Sequence, residues 1–148
     1  MIKIFILLFV LAYFHALEEL EIEGRTKHGW ARCLPTKRLC NKFILFMLGK
    51  EITFYHIYMI TMFIIIFHSA FLFISWSIPR EAQTIGYLML YFIMEDMWWF
   101  ILNPCYGFKN FKKGAISWHK RFLFFMPVSY WWGIILGIGL LLIGGINA

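Results

Sequence analysis

Glu95 and Asp96 stand side by side in YFIMEDMWWFILNP, residues 91–104, where eleven of the fourteen side chains are aromatic, aliphatic or proline. Acids in so apolar a run need partners, and the histidines supply candidates. His15 precedes Glu18 by three residues and Glu19 by four, spacings that bring two side chains over one patch of a helix. His56 and His68 stand in a second apolar run, and His119 follows Trp118 in a basic segment. Imidazole and carboxylate together make a ligand set suited to Fe, Mn, Cu or Zn. The expected metal ligands are therefore His15, Glu19, His56, Glu95 and Asp96, with Glu18 and His119 as further candidates. The same groups suit two other uses. They can hydrogen-bond across helices and fix a bundle, or relay a proton or ion between depths, and a relay also needs His68.

The elements that must position these groups are membrane helices. The chain has 148 residues, 61% of them hydrophobic and only 15% charged, too few charges to cover a soluble domain of this size. Its apolar residues come in long runs: residues 52–77 and 122–148 contain no Lys, Arg, Asp or Glu, and neither does the shorter run 84–94. About 20 such residues cross a bilayer as a helix. The N-terminal run resembles a signal peptide, but FHALEE is a poor cleavage site, so it counts as a helix. The expected fold is all-α: one integral membrane domain, a four-helix bundle with spans at about 3–21, 52–77, 84–104 and 126–147.

Charge sets the expected orientation. Twelve of the fourteen basic residues fall in two loops, 24–50 and 105–123, that share one face, while only Lys3 and Arg80 belong to the other. The positive-inside rule makes those loops cytoplasmic and puts both termini outside. The surplus of positive charge then meets anionic lipid headgroups, not nucleic acid. Within 24–50, Trp30, Leu34, Leu39, Phe43, Phe46 and Met47 alternate with basic residues, as expected of an amphipathic segment lying in the interface between helices 1 and 2. Cys33, Cys40 and Cys105 share the cytoplasmic side, where thiols stay reduced.

Depth brings the polar groups to one level. Counted from Pro104 at about 1.5 Å per residue, Glu95 and Asp96 lie about 12–14 Å inside the helix end, and His56 lies about 7–8 Å inside its own. An acid near the bilayer centre costs about 2.5–3.5 kcal/mol on insertion scales, so its partners must repay that cost. In the last helix Gly133, Gly137 and Gly144 form one stripe, open to close approach by another helix of this chain or of a second copy. The chain has no HxxxH-type histidine boxes, no paired Glu-x-x-His helices and no GxSxG, HExxH, P-loop or CxxC sequence. Membrane desaturase, serine hydrolase and dithiol chemistry therefore lack their residues. The expectation is a metal-binding or redox module in the cytoplasmic half of the membrane. The alternatives are a non-catalytic small subunit of a larger membrane complex and a proton or ion pathway.

Overall fold

A computed structural model of the chain describes residues 2–26, 28–29, 31–39, 41, 51–112, 114–116, 118–119 and 121–146. Four helices carry most of it: α1 (Ile2–Glu23), α2 (Phe54–His68), α3 (Ile78–Leu102) and α4 (Val128–Ile146). A 3-10 turn, Ser69–Leu72, continues α2. A second 3-10 turn, Phe108–Asn110, and two short antiparallel pairs complete the described elements. Before α2, β1 (Arg38–Leu39) pairs with β2 (Ile52–Thr53), and before α4, β3 (Phe122–Leu123) pairs with β4 (Met126–Pro127). Of the expected interfacial segment, Trp30, Phe43, Phe46 and Met47 lie outside the described residues.

Local chemistry sets the helix ends. Thr53, in extended backbone, caps α2 by accepting from the His56 N–H. Ser77 caps α3 in the same way, accepting from the Arg80 N–H, with Pro79 in the first turn and Glu81 close to the positive helix end. Asn103 ends α3 in extended backbone, as the proline that follows it demands. The helix starts six residues before the expected Thr84, because capping chemistry starts a helix and hydropathy does not. The charged pair Arg80–Glu81 therefore belongs to α3 and not to a loop.

Three stretches are long and apolar enough to cross a membrane: Phe54–Leu72, Ile78–Leu102 and Val128–Gly145. In α1 the charge-free run extends only from Ile4 to Leu17, between Lys3 and Glu18. Neighbours in sequence run antiparallel. Tyr55 meets Glu19 and His15 meets Phe63, joining α1 to α2, while Phe63 meets Tyr91 and His68 meets Glu81, joining α2 to α3. α1 and α3 run parallel, with Phe5 on Tyr87 and Tyr13 on Trp98.

Close approach holds α3 to its neighbours. Ala12 and Ala16 of α1 are fully buried in two clusters that include Tyr91, Trp99 and Phe100 of α3. Against α4, a Cβ on Gly86 would come to 2.8 Å from the Gly137 carbonyl oxygen. Gly133 makes room for Ile93, and Gly144 for Gln83. The glycine stripe of α4 thus lies against α3 of the same chain, where small residues let the two backbones approach closely. α2 is held least: His56 and Phe63 are its only buried side chains.

Candidate metal centre

The antiparallel order gathers one end of every helix together: the last turns of α1 and α3 and the first turns of α2 and α4. At that end a cavity of about 340 Å³ is lined by polar groups from all four helices and from the segment before α4. α1 brings Glu19 and Glu23, α2 brings His56, α3 brings Glu95 and Asp96, and His119 and Tyr130 close the far side.

Glu19 and Glu23 are one helical turn apart and share a face of α1. Each of Glu19, Glu23 and His56 offers one ligand atom, and these atoms lie within 4.8 Å of one another. All three side chains are buried, at 8%, 5% and 4% exposure. Their supports are specific. The Tyr55 hydroxyl donates to Glu19 Oε1 at 3.2 Å. The Ala31 backbone N–H donates to Glu23, from a residue in the left-handed region. Thr53 Oγ1 lies 2.6 Å from His56 Nδ1, so the residue that caps α2 also fixes the imidazole. With Nδ1 engaged by Thr53, a metal at His56 would be met by Nε2, the ring orientation being set by its hydrogen-bonded partner.

Glu95 adjoins this triad. It is 5% exposed, in hydrogen-bonding contact with Glu19 and within electrostatic reach of Glu23 and Asp96. Its Oε1 has no hydrogen-bond partner among the described residues, and neither has the indole N–H of Trp99, which also lines the cavity. Two carboxylates in contact away from water require a shared proton or a cation. Asp96 points to the other wall, where it accepts from the Tyr130 hydroxyl and its Oδ2 lies 3.4 Å from His119 Nε2. The adjacent acids therefore divide between two walls, as residues about 100° apart on a helix must.

A scaffold on the loop side holds these ends in register. Asn103, fully buried, donates to the Thr26 carbonyl at 3.1 Å and accepts from the Cys105 N–H, tying the end of α3 to the exit of α1. The Tyr106 hydroxyl donates to the Ala115 carbonyl, and burial pushes that phenol up, keeping it a neutral donor. No protein-family model, curated protein or solved structure matches the chain. What the arrangement can do must be read from its own atoms.

Of the residues singled out by sequence, Glu19, His56, Glu95, Asp96 and His119 line the cavity. His15 lies elsewhere: its Nδ1 is 2.9 Å from the Tyr91 hydroxyl, with its ring packed on Phe63, and it is absent from the lining. Glu18 is exposed. Glu23 was not among the expected ligands. Its signal was present as Glu19-x-x-x-Glu23, the same helical spacing that drew attention to His15 and Glu19, read one turn further on. Cys33 is exposed and Cys105 half-buried, and neither reaches the cavity.

Proposed function

We propose that the protein is a membrane-embedded metal-binding module whose ion is held by Glu19, Glu23 and His56, with Glu95 adjoining. The observation that carries this reading is the convergence of three buried ligand atoms within 4.8 Å, drawn from two helices. Two carboxylates and an imidazole without a thiolate favour Mn, Fe or Zn over Cu(I), which needs softer donors. Such an ion offsets the crowded acids and supplies Lewis-acid or one-electron chemistry, according to its identity.

In this reading α1 crosses the membrane with the other three helices. It runs beside α3 and turns Ile6, Leu7, Val10 and Phe14 outward, an apolar face suited to lipid. Arg25, Arg38, Lys109, Lys112 and Arg121 lie in the connections at the cavity end, which the positive-inside rule makes cytoplasmic. Against a relay spanning the bilayer stands His68, which binds Glu81 at the opposite end and does not line the cavity.

Elemental analysis of detergent-purified protein never exposed to chelator tests the reading. Stoichiometric metal in the parent, lost in Glu19→Gln and His56→Ala but kept in His15→Ala, is the expected result. Folded parent protein without metal sinks it.

A further inference from the structure

The cavity has a second character besides its polar end. Its remaining wall includes Met59 and Ile60 of α2 and Phe92 and Ile93 of α3. Met59 and Ile60 follow His56 by three and four residues, and Phe92 and Ile93 precede Asp96 by four and three. Because α2 and α3 are antiparallel, both pairs are displaced in the same direction, about one helical turn from the polar groups towards the opposite end of the bundle. The cavity is therefore graded along the bundle axis, polar at the loop end and apolar towards the middle of the spans.

It is also open at the side. Met59, Ile60, Phe92 and Ile93 are only half-buried, although they stand well inside stretches long and apolar enough to cross a membrane. Ser129, at the start of α4, lines the same cavity and is exposed. The slot thus lies between α2 and α4 with α3 as its floor, on the flank where α2 is packed least. In the membrane-embedded reading its surroundings at that depth are acyl chains, not water.

We infer that this slot admits a single-chain lipid from the bilayer, its alkyl chain along Met59, Ile60, Phe92 and Ile93 and an uncharged oxygen head, hydroxyl or carbonyl, at the carboxylate–histidine end. The inference rests on the metal reading for the choice of head. Four carboxylates line the polar end, so one dication leaves no surplus positive charge to attract an anionic head. An ammonium head would compete with the ion for Glu19 and Glu23. A neutral oxygen can approach the metal without adding charge, and the hydroxyls of Ser129 and Tyr130 give it hydrogen-bonding company. Size limits the tail. At about 340 Å³ the cavity is near the small end of the roughly 300–1,000 Å³ range of small-molecule sites, which suits one chain and excludes a two-chain phospholipid.

Photolabelling in lipid nanodiscs tests this with the intact protein. The probe is a hexadecanol carrying a diazirine on its chain, and labelled positions are mapped by mass spectrometry. Labelling should concentrate on Met59, Ile60, Phe92 and Ile93. Unlabelled hexadecanol should compete at least about tenfold better than hexadecanoate or hexadecylamine, a difference of about 1.4 kcal/mol. Ile60→Trp, which fills the chain wall without touching a ligand, should abolish that labelling while metal content stays at the parent level. Labels spread over the outward face of α1, uncompeted, overturn the proposal, as does undiminished labelling in Ile60→Trp. Hexadecylamine as the best competitor overturns the neutral head. Metal content measured on the same samples separates the two readings. Metal without localised label removes the lipid slot alone, whereas competed label without metal removes the metal centre and leaves the chain wall standing.

Discussion

The chain holds a histidine–carboxylate pairing at each end, and the two differ in how they are finished. At the turn between α2 and α3 His68 Nε2 lies 2.9 Å from Glu81 Oε1, His68 Nδ1 meets the Ile64 carbonyl, and Trp76 donates to Glu81 Oε2. Both ring nitrogens and both carboxylate oxygens are occupied, one imidazole to one acid. At the other end three acids, Glu19, Glu23 and Glu95, crowd with His56, and Glu95 Oε1 and the Trp99 indole N–H, both on the cavity's lining, have no hydrogen-bond partner among the described residues. The same residue types thus make a closed clasp in one place and a convergent, unfinished site in the other. What distinguishes a structural polar group from a candidate ligand is the balance of donors and acceptors around it, not its burial or its type.

The largest effects should come from breaking the unfinished end. Glu19→Gln and Glu23→Gln each remove a carboxylate charge, His56→Ala removes the imidazole, and metal content measured by elemental analysis should fall below detection in each. His68→Ala should leave it unchanged. If both ends lose or keep metal together, the comparison fails. One step smaller, Thr53→Ala removes the hydroxyl that orients His56, and losses of this kind cost about 10–100-fold in metal affinity. Thr53→Ser keeps the hydroxyl and should restore binding. Because Thr53 also caps α2, Thr53→Ala should lower stability by about 0.5–2 kcal/mol as well, measured by thermal unfolding in detergent.

A third prediction sharpens the comparison by moving the wall instead of the ligands. A Cβ at Gly29 would stand 2.6 Å from Trp118 Cη2 and 2.9 Å from Trp99 Cη2, and both indoles line the cavity. Gly29→Ala must displace them, at about 1–3 kcal/mol by analogy with overpacked cores. Tryptophan emission and metal affinity should change together. Gly145→Ala, where an added Cβ meets nothing within 4 Å, should change neither.

How far these features were legible in sequence depends on range. Apolar run length marked three of the helices, because that signal is local. The start of α3 was misplaced because the charges of Arg80 and Glu81 outweighed the Ser77–Pro79 capping signal in a hydropathy reading. At the site, Glu19, His56 and Glu95 could be grouped from their depth along each span. His15 could not be separated from them, since depth says nothing of rotation. Only packing shows that His15 turns to Tyr91 while Glu23, one turn below Glu19, turns inward. Rotation about a helix axis is set by neighbours such as Ala12 and Ala16, whose role emerges when α3 is laid against them.

The smallest predicted effect is also the control on which the comparison depends. His68 and Glu81 retain 30% and 27% of their side-chain exposure, so their ion pair is worth about 0–1 kcal/mol and no more. Glu81→Gln keeps an acceptor oxygen but turns the other position into an NH₂ donor, which cannot serve both His68 and Trp76. One of the two contacts should be lost, the turn at residues 73–77 should loosen, and thermal stability should fall by no more than about 1 kcal/mol. Metal content should not change at all. A drop in metal on Glu81→Gln would mean that the two ends communicate through α2 or α3, and the His68–Glu81 clasp would then belong to the same functional unit as the cavity site. An unchanged metal content alongside that small loss of stability would fix the His68–Glu81 pair as a closed structural contact, against which the unfinished chemistry of the cavity end can be measured.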